Sequence, residues 1–257
     1  MVKGLYTAYT GLVNEQNRMD VLTNNLANSA TTGFKKEGAT SQSFDSVLAY
    51  KIKDSSEPVA AKYIGKANLG VKIGENYTDY SQGSFKVTGN TYDLALSGNG
   101  FFTVAFTNKA GETSIKYTRD GSFTVNTNGY LVTKDGDYVL NTSGNPIRLD
   151  PLKTSTIDEF GTVFQDGNPV ATLQITDFAD YNYLEHYGEN YYQPVEGATT
   201  VKADAKVYEG YLETSNVQVV SSMVEMISVT RAYESNQKLI QTIDGTLEIA
   251  ANQLGKL

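Results

Sequence analysis

Apolar residues near the N-terminus recur at the spacing of an α-helix. Between about Leu5 and Ala27, one row has members seven positions apart, namely Leu5, Leu12, Met19 and Leu26. Ala8 and Leu22 fall three positions after members of that row. This pattern predicts an amphipathic helix with a narrow, coiled-coil-like apolar stripe. Gly4 and Gly11 weaken the helix, because a glycine in a helix interior costs about 1 kcal/mol relative to alanine.

The C-terminal part of the sequence has a longer version of the same stripe. One row with members seven positions apart contains Val219, Met226, Tyr233, Ile240, Leu247 and Leu254. The row three positions later contains Val229, Ile243, Ala250 and Leu257. No proline follows Pro194, so one long helix is possible here. Additional apolar residues lie outside the stripe, and one partner helix would not cover them all: Met223, Val224, Ile227, Leu239 and Ile249.

Two arrangements of these helices fit the periodicity. In the first, each helix packs on the β-domain of its own chain. In the second, the two terminal helices pair with each other and continue their packing into neighbouring subunits. The apolar residues outside the C-terminal stripe favour the second arrangement, because they require a second contact surface.

The middle of the sequence has the pattern of strands and turns. Short apolar segments within Ser122–Leu149 are separated by turn dipeptides that recur about every eight residues, at Asp120-Gly121, Asn128-Gly129, Asp135-Gly136 and Ser143-Gly144. Such spacing predicts an antiparallel meander. Apolar and β-branched runs predict further strands at Asp93–Phe106, Val170–Phe178 and Val207–Leu212.

These patterns predict an α+β fold in which paired terminal helices flank an inserted, all-β antiparallel meander domain. Residues 1–37 and 216–257 are assigned to a terminal helical domain, and residues 77–215 to a β-rich outer domain. Residues 38–76 contain scattered Ser, Lys and Gly with only short apolar pieces, and this composition is typical of an extended connector.

The charge balance narrows the range of partners. The 257-residue protein has 21 basic and 29 acidic residues, a net charge of −8, so it would mostly repel nucleic acid and anionic membranes. It has no cysteine, which excludes disulfides and thiolate chemistry. No apolar run is long enough to span a bilayer, and the first residues lack a signal-peptide core. We therefore expect no direct membrane insertion, and any export without a cleaved signal peptide.

Candidate catalytic, cofactor and metal sites all fail on their context. His186 is the only histidine, and no nucleophile-elbow sequence accompanies it. Asp135 and Asp137 begin like a calcium loop, but Val139 occupies a ligand position. Gly98 and Gly100 lack the third glycine of a dinucleotide fingerprint. The tyrosines between Tyr181 and Tyr192 could stack on sugars, but the absence of tryptophan favours packing. We predict that the protein has no catalytic residue, no cofactor and no metal, and hence that it is not an enzyme.

Five segments, taken in order, resemble signatures of the flagellar rod, hook and hook-associated protein family. The N-terminal segment is Asn24-Asn25-Leu26-Ala27-Asn28 followed by Thr32-Gly33-Phe34-Lys35, and the C-terminal segment is Glu209–Val217 followed by Met226 and Arg231-Ala232-Tyr233-Glu234. Three matches lie between them: Ser97–Phe102, Tyr117–Phe123 and Gly188–Tyr192. Each alone is a weak signal, but together they span almost the whole sequence. The protein most resembles the distal rod members of the family, with proximal rod or hook-type members as the alternative.

This resemblance implies a mechanical function. In the family, the terminal helices pack in the inner wall of a hollow helical tube and the β-domain forms the outer layer. The implied partners are copies of this protein, other rod and hook proteins, and the flagellar type III export apparatus. The implied location is the basal body, outside the cytoplasm, where the rod transmits torque from the motor to the hook. A non-flagellar β-rich tube or adhesin protein is the alternative from a different class.

The stripes and the resemblance together predict residues that pack between subunits. They are Leu5, Leu12, Met19, Leu22, Asn24, Asn25, Leu26, Asn28, Gly33, Phe34, Met226, Arg231, Tyr233, Ile240, Ile243, Leu247 and Leu254. A purely local interpretation remains open for some of them. The three asparagines could cap the end of the first helix, and Gly33 could supply a left-handed turn residue before Phe34. Arg119-Asp120-Gly121 is likewise interpreted as a hairpin turn.

Overall fold

Two terminal helices bracket a β-rich middle in this protein, which confirms the predicted α+β fold. The computed structural model describes residues 2–44, 47–51, 62–67, 70–108, 111–188 and 190–254. The helices are α1 (Val2–Ala27) and α2 (Val219–Leu254), and the strands between them pair antiparallel. The fold divides into two compact units. Unit 1 consists of Met1–Ala27, Glu37–Asp79 and Gln218–Leu257, and unit 2 of Asn28–Lys36 and Tyr80–Val217.

Unit 1 contains both helices and two pairs of strands. The strands are β1 (Glu37–Ser43), β2 (Val47–Lys51), β3 (Lys62–Ala67) and β4 (Val71–Thr78). β1 pairs with β4 and β2 with β3. Both β1 and β4 pack against α1, which also contacts α2. Helix α1 is therefore covered from more than one side within its own unit.

No strands were predicted from the sequence within residues 38–76, where the structure has these two pairs of strands. β1 is largely polar and has no alternating apolar pattern, and its partner strand lies some thirty residues further along the sequence. A Cβ on Gly38 would lie 2.4 Å from Cζ of Tyr77, so this glycine allows the tyrosine ring to lie against the strand. The predicted domain boundaries, which separate a terminal helical domain (1–37 and 216–257), a connector (38–76) and a β-rich outer domain (77–215), stay a prediction.

Unit 2 is built from short strands and one short 3₁₀ helix, Tyr181–Tyr183. Its strands are β5 (Phe85–Val87), β6 (Leu94–Gly98), β7 (Phe101–Thr107), β8 (Thr113–Thr118), β9 (Thr124–Val125), β10 (Leu131–Val132), β11 (Tyr138–Val139), β12 (Ser155–Ile157), β13 (Thr162–Gln165), β14 (Asn168–Thr172), β15 (Ile175–Phe178), β16 (Leu184–Tyr187), β17 (Tyr191–Pro194), β18 (Thr200–Lys202), β19 (Ala205–Glu209) and β20 (Tyr211–Glu213).

The largest sheet of unit 2 has the strand order β16-β17-β8-β7-β11-β10-β9, and β15 pairs with β7 and with β18. β10 pairs with both β9 and β11, which is the predicted meander. Gly129 at its first turn has a φ of 80°, a conformation that glycine adopts without the strain a side chain would bring. Smaller sheets pair β12, β13 and β14, β19 with β6, and β20 with β5.

Apolar residues on both faces of β7 form the core of unit 2. Phe102 and Val104 belong to the main cluster, whereas Phe101, on the opposite face of the strand, packs with Tyr117, Phe178 and Tyr192. Of the tyrosines between 181 and 192 that the sequence analysis assigned to packing, Tyr191 and Tyr192 are buried, and Tyr183 and Tyr187 are exposed.

Tyr191 should make the fold sensitive to alkali. Its hydroxyl lies 2.8 Å from Oδ2 of Asp137 and 3.3 Å from Oγ1 of Thr133. Burial, above all, and the Asp137 carboxylate raise the pKa of Tyr191 well above its usual 10.0, while the hydrogen bond with Thr133 opposes this. Tyr191 ionises more readily in the unfolded state than in the folded state. Its contribution to the free energy of unfolding is therefore complete below pH 10 and is lost as the pH rises further.

We therefore expect the free energy of unfolding to fall above pH 10, and to fall less steeply in Tyr191→Phe. Urea denaturation between pH 8 and 12 measures both slopes. The exposed Tyr211→Phe serves as the matched control and should follow the unmodified protein. An identical decline in Tyr191→Phe and the unmodified protein would contradict the assignment.

Candidate assembly surfaces

The two terminal helices pack antiparallel within unit 1. A Cβ on Gly4 would lie 3.8 Å from Cδ1 of Ile243, and one on Gly11 would lie 3.0 Å from Nδ2 of Asn236. Further along α1, Nη2 of Arg18 lies 3.3 Å from Oε1 of Glu225. Residue numbers thus rise along α1 as they fall along its partner. Because Gly4, near the start of α1, lies opposite Ile243 and α2 continues to Leu254, the end of α2 extends past the start of α1.

One face of α2 is covered by the contact with α1. Val229 is 2% exposed, and Asn236 and Ile243 follow it at intervals of seven residues. The predicted packing residues Met226, Tyr233, Ile240 and Ile243 are half-buried on or beside this face. Part of the predicted stripe therefore contacts the first helix of the same molecule, as the paired arrangement requires.

The opposite face of α2 has an apolar patch that unit 1 leaves exposed. Val220, Met223, Val224 and Ile227 are 77%, 47%, 64% and 54% exposed, respectively. Their spacings of three, four and seven residues place them on one side of the first two helical turns, roughly opposite Val229. We call these four residues the outer patch. A cluster of exposed apolar side chains on one helix face is typical of a surface that another protein covers.

Other exposed apolar residues lie elsewhere in the helical pair. On α2 they are Val219, Leu239, Leu247 and Ile249, and on α1 they are Tyr6 and Tyr9. Leu247 and Ile249 lie in the part of α2 that extends past the start of α1. Among the remaining predicted packing residues, Leu22 is buried, Leu5, Leu12, Met19 and Leu26 are half-buried, and Arg231 is exposed. The side chain of Leu254 lies outside the described residues.

The asparagines of the N-terminal signature have different environments. Asn25 is fully buried, and its amide makes two hydrogen bonds with the main chain of Glu37: it donates to the carbonyl oxygen at 2.6 Å and accepts from the N–H at 2.8 Å. Asn24 is exposed, and Asn28 is half-buried and accepts from the hydroxyl of Thr31. Asn25 therefore joins the end of α1 to the start of β1, a structural role within unit 1.

Gly33 and Phe34 are buried inside unit 2. The N–H of Gly33 donates to the carbonyl oxygen of Glu213 at 2.9 Å, and its φ of 70° lies in the left-handed region. A Cβ at this position would lie 2.5 Å from the carbonyl carbon of Arg119 and from the backbone nitrogen of Asp120. Phe34 packs edge-on against His186, 6.4 Å between ring centroids. In the single molecule, these two residues contact their own unit.

Unit 2 has an exposed aromatic surface that the sequence pattern did not predict. Phe85 and Tyr208 have ring centroids 5.9 Å apart, and Tyr208 and Tyr211 are separated by 6.1 Å. Val87, which pairs with Tyr211 across β5 and β20, is 68% exposed. We call these four residues the aromatic ribbon. Its strands are distant in sequence, so only the strand register brings the residues together.

The described residues were also searched for metal-binding groups and for membrane-spanning helices. They contain no group of three or more His, Asp or Glu side chains that could hold a metal ion. None of the helices in this part of the protein combines the length and hydropathy required to cross a bilayer. His186, the single histidine, is half-buried and also packs edge-on against Tyr192, 5.4 Å between centroids.

Three family models match successive parts of the sequence. Residues 5–35 match the model described as flagella basal body rod protein. Residues 95–165 match the flagellar hook protein FlgE/F/G D1 domain, and residues 208–254 match the flagellar basal body rod FlgEFG protein C-terminal. The first and third matches fall on the terminal helices and the second on the β-rich unit, in the order of the signatures noted in the sequence.

Individual relatives match over nearly the whole sequence. The flagellar basal-body rod protein FlgG of Buchnera aphidicola subsp. Baizongia pistaciae is 33% identical, over 96% of this protein and 98% of the relative. FlgF, also named a flagellar basal-body rod protein, from Caulobacter vibrioides is 34% identical over the full length of both proteins. The flagellar hook-basal body complex protein FlhO of Bacillus subtilis is 32% identical over the full length of both.

Proposed function

This chain belongs to the flagellar basal-body rod protein family, and on that premise we propose that it polymerises into the rod through the exposed faces of its second helix. The relatives' names support a structural subunit that assembles with other rod and hook proteins at the basal body. Family membership sets aside the non-flagellar tube or adhesin protein that the β-domain alone would have allowed.

The observation that carries the proposal is the outer patch. Four apolar side chains on one side of α2 face away from α1, and each is at least 47% exposed in the single molecule. Burying a side chain of this kind contributes roughly 1.5–3 kcal/mol, so a neighbouring helix that covered the patch would gain substantial free energy. Contacts of this heterologous type, repeated by a helical operation, generate an open filament and not a closed ring.

The remaining parts of the proposal concern mechanics and position. The helical pairs line a hollow axial tube, unit 2 contributes the outer layer, and the rod transmits torque from the motor to the hook. The sequence identities to FlgG, FlgF and FlhO are nearly equal, so they do not distinguish between these paralogues. We retain the distal rod as the proposed position, on the basis of sequence length and residues 209–217.

The proposed function also includes a route of export and excludes catalysis. We propose that the flagellar type III apparatus exports the protein without a cleaved signal peptide, and that the protein has no catalytic role, cofactor or nucleic-acid partner. The glycines in α1 suit such a route, because a marginal helix can stay unfolded until a partner surface offsets its ordering entropy.

Deletion of the gene, followed by purification of basal bodies, tests the proposed function. The deletion strain should be non-motile and should yield basal bodies with a truncated rod and no hook. A plasmid copy of the unmodified gene should restore both. Motile deletion cells with complete basal bodies would contradict a structural role in the rod. A full-length rod in paralysed cells would contradict polymerisation and leave a role in motor function.

A further inference from the structure

A buried ion cluster in unit 2 connects segments that are far apart in the sequence. Nζ of Lys35 lies 2.6 Å from Oε1 of Glu213, and Nη1 of Arg119 lies 3.3 Å from Oε2 of the same carboxylate. The side chains of Lys35, Glu213 and Arg119 are 2%, 0% and 4% exposed, respectively. The carbonyl oxygens of Ser81 and Gly98 accept further hydrogen bonds from the two cations.

Main-chain groups extend this cluster. Oε1 of Glu213 accepts from the N–H of Gly83 at 2.9 Å, and Oδ1 of Asn216 accepts from the N–H of Lys36 at 2.7 Å. Nδ2 of Asn216 donates to the carbonyl oxygen of Ser81 at 3.1 Å. We call the following residues the crossing cluster: Lys35, Lys36, Ser81, Gly83, Arg119, Glu213 and Asn216.

The crossing cluster lies beside three of the four points at which the polypeptide enters or leaves unit 2. This unit consists of two segments, 28–36 and 80–217, so the polypeptide crosses its boundary four times. Three crossings, after Lys36, after Asp79 and after Val217, lie within two residues of a cluster member. The fourth, after Ala27, opens the short segment that contains Lys35. Three of the four covalent connections to unit 2 thus lie beside one buried carboxylate.

We propose that the crossing cluster is a mechanical clamp, which carries tension applied to unit 2 through these crossings and thereby protects the β-sheet from being peeled apart. Replacing a buried ion pair by apolar residues is often neutral or stabilising, so stability alone is a weak explanation for three buried charges. Charge-assisted hydrogen bonds are short and directional, and they resist displacement of the segments that they join.

The value of such a clamp to a torque-transmitting subunit rests on the proposed function. Its existence does not, because the clamp lies within one molecule and can be tested on the isolated monomer. A failed clamp experiment would leave the assembly proposal standing. Equally, an intact clamp in a protein that does not build rods would leave the clamp standing.

Single-molecule pulling with optical tweezers tests the clamp in two geometries. The protein has no cysteine, so pairs of introduced cysteines define the handle positions uniquely. Ala30→Cys with Gln218→Cys, both exposed, applies force to the segment that contains Lys35 and to the crossing after Val217, and we call this the crossing geometry. Thr127→Cys with Asn182→Cys applies it across the sheet, since these exposed residues adjoin β9 and β16 at opposite ends of the strand order.

Lys35→Met is the informative variant. It removes the bonds from Lys35 to Glu213 and to the carbonyl oxygen of Ser81. Arg119 and the N–H of Gly83 still contact the carboxylate, and Asn216 still donates to Ser81. The matched control is Lys206→Met, which removes the exposed ion pair of Lys206 with Glu159. We expect Lys35→Met to lower the unfolding force in the crossing geometry and to leave it unchanged across the sheet. Lys206→Met should change neither force.

Two results would overturn the clamp. An equal fractional fall in both geometries would make Lys35 a general stabiliser of unit 2, and an unchanged force in the crossing geometry would remove any mechanical role. Should Lys35→Met not fold, the same comparison is made with Lys35→Arg, which retains the charge but replaces the point-like ammonium by a planar fork. The clamp predicts the same geometry-dependent fall for that variant.

Discussion

Replacing Val224 and Ile227 together by aspartate should abolish incorporation into the rod and leave the folded monomer intact. Both side chains belong to the outer patch and are more than half exposed, so the monomer loses little packing. In an assembled rod, the double variant would lose on the order of 2–3.5 kcal/mol of apolar burial per contact, because somewhat more than half of each side chain is still exposed in the monomer. It would also place unpaired carboxylates in a closed interface, which costs more still.

The experiment compares thermal melting of the purified monomer with motility and with the content of purified basal bodies. The matched control is Gln237→Asp, an exposed position of the same helix outside the outer patch, which should retain motility. Substitutions at exposed positions usually change stability by less than about 0.5 kcal/mol, so all three monomers should melt alike. If the double variant melts at a lower temperature, these side chains pack within the monomer. If it retains normal motility, the outer patch has no role in assembly.

Gly33→Ala should destabilise unit 2 far more than an ordinary glycine substitution. The new Cβ would lie 2.5 Å from backbone atoms of Arg119 and Asp120, which cannot move as a flexible side chain could. The φ of 70° adds roughly 1–2 kcal/mol of left-handed strain. Together these effects place the expected loss above about 4 kcal/mol, in the range that single substitutions reach only through a specific collision or strain.

Gly136→Ala separates the two contributions. Gly136 also has a left-handed backbone, with a φ of 96°, but nothing lies within 4 Å of a Cβ built there. This variant should lose only the roughly 1–2 kcal/mol of strain. Urea denaturation followed by near-ultraviolet circular dichroism measures both losses. Equal losses would mean that the segment around Gly33 is free to shift, and that its contact with Arg119 and Asp120 does not restrict position 33.

The helices and the meander were predictable because their signals are local. Apolar side chains that recur every seven residues, such as Met226 and Ile240, indicate one buried helix face. They do so whichever part of the protein that face contacts. The turn glycines at 129, 136 and 144 similarly define β9 to β11 over a few residues. The outer patch was predictable as well, since Met223, Val224 and Ile227 lie outside the stripe that a single partner helix would cover.

Features that depend on long-range pairing were not predictable. β1 is polar, and its structure depends on the pairing of Glu37 with Thr78, which no local periodicity encodes. The aromatic ribbon requires the register that places Val87 opposite Tyr211. The crossing cluster depends on a contact between residues 178 positions apart in the sequence. Lys35 and Glu213 are each of a type that is usually solvated, and only the fold shows that both are buried.

Asparagine capping illustrates an intermediate case. Residue type correctly indicated that an asparagine near the end of α1 satisfies main-chain groups. The sequence could not indicate that Asn25 alone is fully buried, or that its partner is Glu37 at the start of β1. That partner lies twelve residues further on, beyond the range of local capping patterns.

The most direct test of the account is the reactivity of a single thiol at Val224→Cys. The unmodified protein has no cysteine, so labelling by a soluble maleimide, followed by mass spectrometry of this protein, reports on that position alone. If neighbouring subunits cover the outer patch, the thiol should be labelled rapidly in the purified monomer and strongly protected in basal bodies from motile cells that express the variant. Equally rapid labelling in monomers and in assembled rods would contradict packing of neighbouring subunits through the outer patch.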